Sequence, residues 1–91
     1  MNMTIELLKQ KNINPLQKLI LGLILDTPPV VIQFAGGNDL TCGEMGAILG
    51  VSRIRIKKEI KELLELDYIT TRKGNGWRIT NITPSLYKLL K

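Results

Sequence analysis

Nine residues, Arg53 to Lys61 (R-I-R-I-K-K-E-I-K), carry five cationic side chains and one carboxylate. Side chains of this kind at this density hold anions. A guanidinium fork matches two phosphate oxygens or the O6 and N7 atoms of a guanine edge, and an ammonium acts as a compact point charge. Arg53 and Arg55 would stand at the start of a helix, where the backbone dipole disfavours cations. Helix stability therefore gives no reason for two arginines there, whereas a phosphate chain or a base edge does. Other chemistry has little to work with. There is no histidine and a single cysteine, Cys42, so neither a zinc ligand set nor a nucleophile–base pair can be assembled. The glycines of A-G-G-N and G-N-G are turn chemistry and do not match phosphate-loop spacing. No catalytic residue, metal or cofactor is expected, and Cys42 reads as a buried or inert thiol.

The remainder of the composition points the same way. The chain has 91 residues, a net charge of +5 and a pI near 9.6, a balance that favours a polyanionic partner, nucleic acid first. One cysteine cannot form an internal disulfide, so a reducing, cytoplasmic setting is expected. The start, M-N-M-T-I-E-L-L-K-Q, lacks the basic region and apolar run of a signal peptide. The longest apolar run, Leu19 to Leu25 with Gly22 inside, is far shorter than the roughly 20 residues a bilayer span needs.

The elements that must carry the cationic stretch can be placed from local signals. Asn14-Pro15 starts a helix that runs to about Leu25, because Pro28-Pro29 forbids continuation. Leu16, Leu19, Ile20, Leu23 and Ile24 give it an apolar stripe. Residues 4–11 read as a short extra helix. V-V-I-Q-F, Val30 to Phe34, is short and β-branched, and reads as a strand. Thr41 and Glu44 form a capping box that opens a helix over about Cys42–Leu49. Gly50 ends it, and Ser52 caps a longer helix from Arg53 to about Leu66. Two β-type runs then flank G-N-G and read as a hairpin. Thr83-Pro84 starts a last helix.

A short helix, a three-residue turn and a long basic helix make a helix-turn-helix. Gly46 falls where the two helices should touch. On Ile56, Ile60, Leu63 and Leu66 as the core side, Ile54, Lys57, Lys58, Lys61 and Glu65 turn outward, with Arg55 on a flank. The string L-T-x-x-E-M-G-x-I-L-G-V-S-R-x-x-I-x-x-x-I-x-x-L-x-x-L-x-Y-I, Leu40 to Ile69, resembles the winged helix-turn-helix family, including DeoR-like and MarR-like bacterial regulators. The hairpin after it would be the wing. Two positions depart from that pattern: the family usually has alanine at Gly46 and glycine at Asp67. The resemblance implies an α+β, mainly helical winged helix-turn-helix with a three-helix core, a β-hairpin wing and a C-terminal helix. It would be one domain over residues 1–91: an N-terminal extension or short helix at 1–13, the helix-turn-helix at 41–66, the wing at 68–82 and the last helix at 84–91.

The wing's register can be argued from its faces. A three-residue G-N-G loop pairs Arg72 with Arg78 and Thr71 with Ile79, which puts Ile69, Thr71, Trp77 and Ile79 on one face and Thr70, Arg72, Arg78 and Thr80 on the other. A two-residue Asn-Gly loop pairs Lys73 with Arg78 and Arg72 with Ile79, mixing polar and apolar residues, so the first register is expected. Trp77 then reads as a cover over the sheet.

The partner expected is double-stranded DNA. Arg53, Ile54, Arg55 and Lys58 are candidates for base edges, with Ile54 placed for a thymine methyl. Ser52, Lys57, Lys61, Arg72, Lys73, Asn75 and Arg78 are candidates for phosphates or the minor groove. A transcriptional regulator, or a plasmid or phage protein of replication, excision or maintenance, would suit such a domain. A protein–protein docking module is the rival reading. Leu64 and the leucines of L-Y-K-L-L could serve an interface, including a homodimer.

Overall fold

The computed structural model describes residues 3–73 and 78–91. Its order is α1 (Met3–Leu8), α2 (Pro15–Leu25), α3 (Pro29–Ala35), α4 (Cys42–Leu49), α5 (Arg53–Glu65), β1 (Ile69–Lys73), β2 (Arg78–Ile82) and α6 (Pro84–Leu90). This is an α+β winged helix-turn-helix: α2, α4 and α5 form the core trio, and β1 and β2 form the wing.

The helix starts follow from the residues at them. Asn14 accepts a hydrogen bond from the Gln17 amide while Gln17 reaches back to the Asn14 backbone, a closed capping box before Pro15. Thr41 and Glu44 do the same for α4. Thr83 caps α6 through the Leu86 amide. Leu66 and Asp67 close α5: the Asp67 N–H donates to Leu64 O and the Tyr68 N–H to Leu63 O. Such a motif needs a left-handed residue, and Asp67 supplies it at φ 61° where the resembled family has glycine. Its carboxylate accepts from Ser85 Oγ at 3.0 Å, and its carbonyl accepts from Thr83 Oγ1 at 2.6 Å, which ties the end of α5 to the start of α6.

The core is one cluster. Leu7, Ile13, Ile20, Leu21, Ile24, Met45, Ile56, Ile60, Leu63, Ile69, Leu86 and Leu90 are all buried. Two apolar stripes differ from expectation. On α2 the buried positions are Gln17, Ile20, Leu21 and Ile24, with Leu19 exposed. Gln17 is held inward because its Nε2 donates to Glu62 on α5 at 2.9 Å. On α5, Leu66 lies at the helix end and is exposed, while Glu59 takes a core-facing place.

The run Val30–Phe34 is a helix, not a strand. Pro29 at the first helical position presets φ and lacks the amide a helix start leaves unpaired, and Gly36 at φ 84° closes the far end. A five-residue run with four apolar side chains carries no period that separates the two states. The strand's place beside the wing goes to one residue: Asn38 exchanges two backbone hydrogen bonds of 2.9 Å with Thr80. Asn38 is itself buried, and its side chain bonds Thr27 Oγ1 and the Leu40 amide.

The wing's register is the other one. Arg72 stands opposite Ile79 and Lys73 opposite Arg78. The face with Ile69, Thr71, Thr80 and Ile82 meets the core. The face with Thr70, Arg72, Ile79 and Asn81 is not simply solvated. Arg72 Nη2 donates to Ala35 O at 3.2 Å and Asn81 Nδ2 to Gly36 O at 2.9 Å, so the end of α3 lies against it. Ile79 is buried there. Both faces hide an isoleucine, so alternation could not choose the register. Trp77, Asn75 and the G-N-G loop lie outside the described residues.

Candidate nucleic-acid interface

Three residues separate α4 from α5. Gly50 adopts φ 74°, its N–H returns to Gly46 O, and the Val51 N–H also donates to Gly46 O at 3.0 Å. Gly46 is buried against this turn: a Cβ there would stand 2.5 Å from Val51 O. A backbone oxygen cannot yield as a side-chain end can, which gives glycine in place of the family's alanine a physical reason. Ser52 then caps α5, its Oγ accepting from the Arg55 amide at 3.1 Å.

This turn fixes how α5 is presented. Ile56, Glu59, Ile60 and Leu63 face inward. Arg53, Ile54, Arg55, Lys57, Lys58 and Lys61 are all exposed. At ~100° per residue, Ile54 stands opposite Leu63 and marks the crest of the outward face, with Lys58 and Lys61 close to the same line and Arg53 and Arg55 on either flank. Ile54 is 78% exposed. Among the described residues the one ion pair is Lys9–Glu6, so no cation of α5 has a carboxylate within salt-bridge distance. The α5 carboxylates nearest in sequence are engaged elsewhere. Glu59, 2% exposed, accepts from Asn14 Nδ2 at 2.8 Å, and Glu62 accepts from Gln17. This Asn14–Glu59 and Gln17–Glu62 seam was not anticipated from sequence. The signal was there, since Glu59 falls between Ile56 and Ile60 on the buried side.

The other candidate residues divide into two groups. Arg53, Lys57 and Arg78 come together with Thr41, Cys42 and Gly43 around a cleft where α4, α5 and the wing meet. Arg78 is part-buried and its Nη2 donates to Cys42 Sγ, while its Nε is buried without a partner. Val51, Ser52, Ile54, Arg55 and Lys58 line a second, shallower recess. Lys61 lies one turn further along α5, and Lys73 is exposed at the end of β1. Arg72 is turned away from both recesses, onto the C-terminus of α3, where a cation complements the exposed carbonyls. Asn75 lies outside the described residues. Among the described residues no group of histidine, cysteine and carboxylate side chains is arranged to hold a metal ion, and no single helix is long and apolar enough to cross a membrane.

The geometry is that of a winged helix-turn-helix, and comparison with known proteins gives the same fold. The adhesin competence repressor AdcR from Streptococcus pyogenes superposes with a TM-score of 0.66 over 94% of this chain at 19% identity. This chain spans 57% of that repressor's length. No family model matches the sequence. No curated protein matches it either.

Proposed function

We propose that this chain is a double-stranded DNA-binding protein that regulates transcription, with α5 in the major groove and the wing on the backbone or minor groove. The observation that carries this reading is the uncovered face of α5: five cations within nine residues, all exposed, none paired with a carboxylate among the described residues, on a helix that a tight turn packs against α4 by its opposite, apolar face. Neither terminal helix covers it, since its residues from Arg53 to Arg55 and Lys57, Lys58 and Lys61 are all exposed. The similarity in fold to a repressor supports the regulatory setting; replication, excision or maintenance of a plasmid or phage would use the same surface. Arg53, Ile54, Arg55 and Lys58 approach base edges. Ser52, Lys57, Lys61, Lys73 and Arg78 approach phosphates, joined by Arg72 once it exchanges Ala35 O for a phosphate oxygen; Asn75 is a further candidate for that role. Two copies on a two-fold site would place two such helices about one helical turn of DNA apart.

Binding titrations at several salt concentrations test the reading. Arg55→Ala should lose discrimination between sites, and Lys57→Ala should weaken all sites and reduce the logarithmic salt slope by about one. If neither change alters binding, α5 is not the reading helix.

The protein-docking alternative is favoured by a different observation. Helix α3 buries none of its residues, and Phe34 is 84% exposed. Heparin retention that falls with salt supports the DNA reading, and its absence supports docking.

A further inference from the structure

The proposed function leaves open which bases α5 would recognise, and the chemistry of its exposed face narrows the choice. Base edges in the major groove differ in what they ask of a protein. Guanine offers two acceptors, O6 and N7. Thymine offers an acceptor and a methyl group. Adenine presents an amino donor beside its N7 acceptor and cytosine an amino donor alone, and those donors need an acceptor side chain such as asparagine, glutamine or a carboxylate.

From Arg53 to Lys61 the outward surface of α5 holds four kinds of feature: arginine forks, lysine ammoniums, the aliphatic crest of Ile54 and the Ser52 hydroxyl at the helix start. Among the described residues, each acceptor side chain there already accepts a hydrogen bond from the protein. Glu59 is buried and bonded to Asn14. Glu62 is bonded to Gln17. The Ser52 oxygen accepts the Arg55 amide. Glu65 shares the outward side but lies ~16 Å along the axis from Ile54, outside the first turns that would enter a groove. Ile54 is not a stray surface residue at one edge. It occupies the crest, flanked by both arginines, where the closest approach to base edges would occur.

We infer that the exposed face of α5 reads guanine and thymine edges, with Arg53 and Arg55 each on a guanine and Ile54 between them on a thymine methyl. This deepens the DNA-binding reading and rests on it. An arginine placed against adenine would meet the N6 donors with donors of its own, so each such exchange is penalised. Lys58 supplies a further donor one turn on and extends the preference for acceptor edges.

The test begins with selection of bound sites from random duplex DNA. The selected strand should carry guanines on both sides of a thymine. Replacing that thymine by deoxyuridine removes one methyl and should weaken wild-type binding about fourfold. The same replacement should have no effect on Ile54→Ala, whose melting temperature should match wild type because the residue is exposed. Replacing either guanine by 7-deazaguanine should weaken wild-type binding about tenfold. That loss should vanish in Arg53→Ala for one guanine and Arg55→Ala for the other. The inference is overturned if the selected sites are indifferent to the thymine methyl, or if Ile54→Ala stays as sensitive to deoxyuridine as wild type. Salt-sensitive duplex binding with no base preference would overturn it and leave the DNA-binding reading standing. No duplex binding at all would overturn both.

Discussion

Thr80 is fully buried, yet its Oγ1 has no hydrogen-bond partner. Its backbone is well used, since both N–H and C=O pair with Asn38, so only the hydroxyl is left over. A buried hydroxyl without a partner forfeits its hydration, at about 1–3 kcal/mol, and replacing it with a methyl of the same shape removes that loss. The added methyl also gains about 0.8 kcal/mol of apolar burial. Valine keeps the β-branched form that suits a strand. Thr80→Val should therefore stabilise the protein by about 2–4 kcal/mol, equivalent to a rise of about 8–30 °C in Tm for a domain of this size. Thermal unfolding followed by circular dichroism reads this directly. Thr80→Ser is the control: it keeps the hydroxyl, loses the methyl, and should melt below wild type. A Thr80→Val protein that melts at or below wild type would refute the reasoning, because the hydroxyl would then have a partner worth keeping.

Other substitutions probe the turn, the seam and the left-handed cap. Gly46→Ala gains about 1 kcal/mol of helix propensity but forces a Cβ against Val51 O, an overpacking of about 1–3 kcal/mol, so a net loss near 1 kcal/mol is expected in a urea titration; a gain would mean the turn relaxes freely. Asn14→Ala removes a helix cap and the hydrogen bond to the buried Glu59 carboxylate together. It should cost about 2–4 kcal/mol, against about 1 kcal/mol for Ser52→Ala, which removes a cap alone; equal losses in the two variants would show that Glu59 does not need Asn14. Asp67→Val places a β-branched residue at φ 61° and should lose about 1–2 kcal/mol relative to Asp67→Asn, which tolerates that region; indistinguishable unfolding midpoints would contradict the strain argument.

The features legible in the residues alone were local. The starts of α2, α4, α5 and α6 and the closing glycine at position 50 all depend on groups within about five residues of one another, and side-chain type decides such contacts. The same holds for the outward cations of α5, because helical spacing assigns faces once the apolar side is known. The tertiary structure decided what depends on a distant surface. Val30–Phe34 had no period to choose helix over strand. The wing's register turned on whether its outer face was covered, and that cover comes from the end of α3, far away in sequence. Helical spacing puts Glu59 on the buried side, but its partner, Asn14, comes from 45 residues earlier. Arg72 and Arg78 look alike in sequence, yet one lies on helix carbonyls and the other on a thiol beside the basic cleft. A charge declares that it needs a partner, and only the folded chain decides which partner it finds.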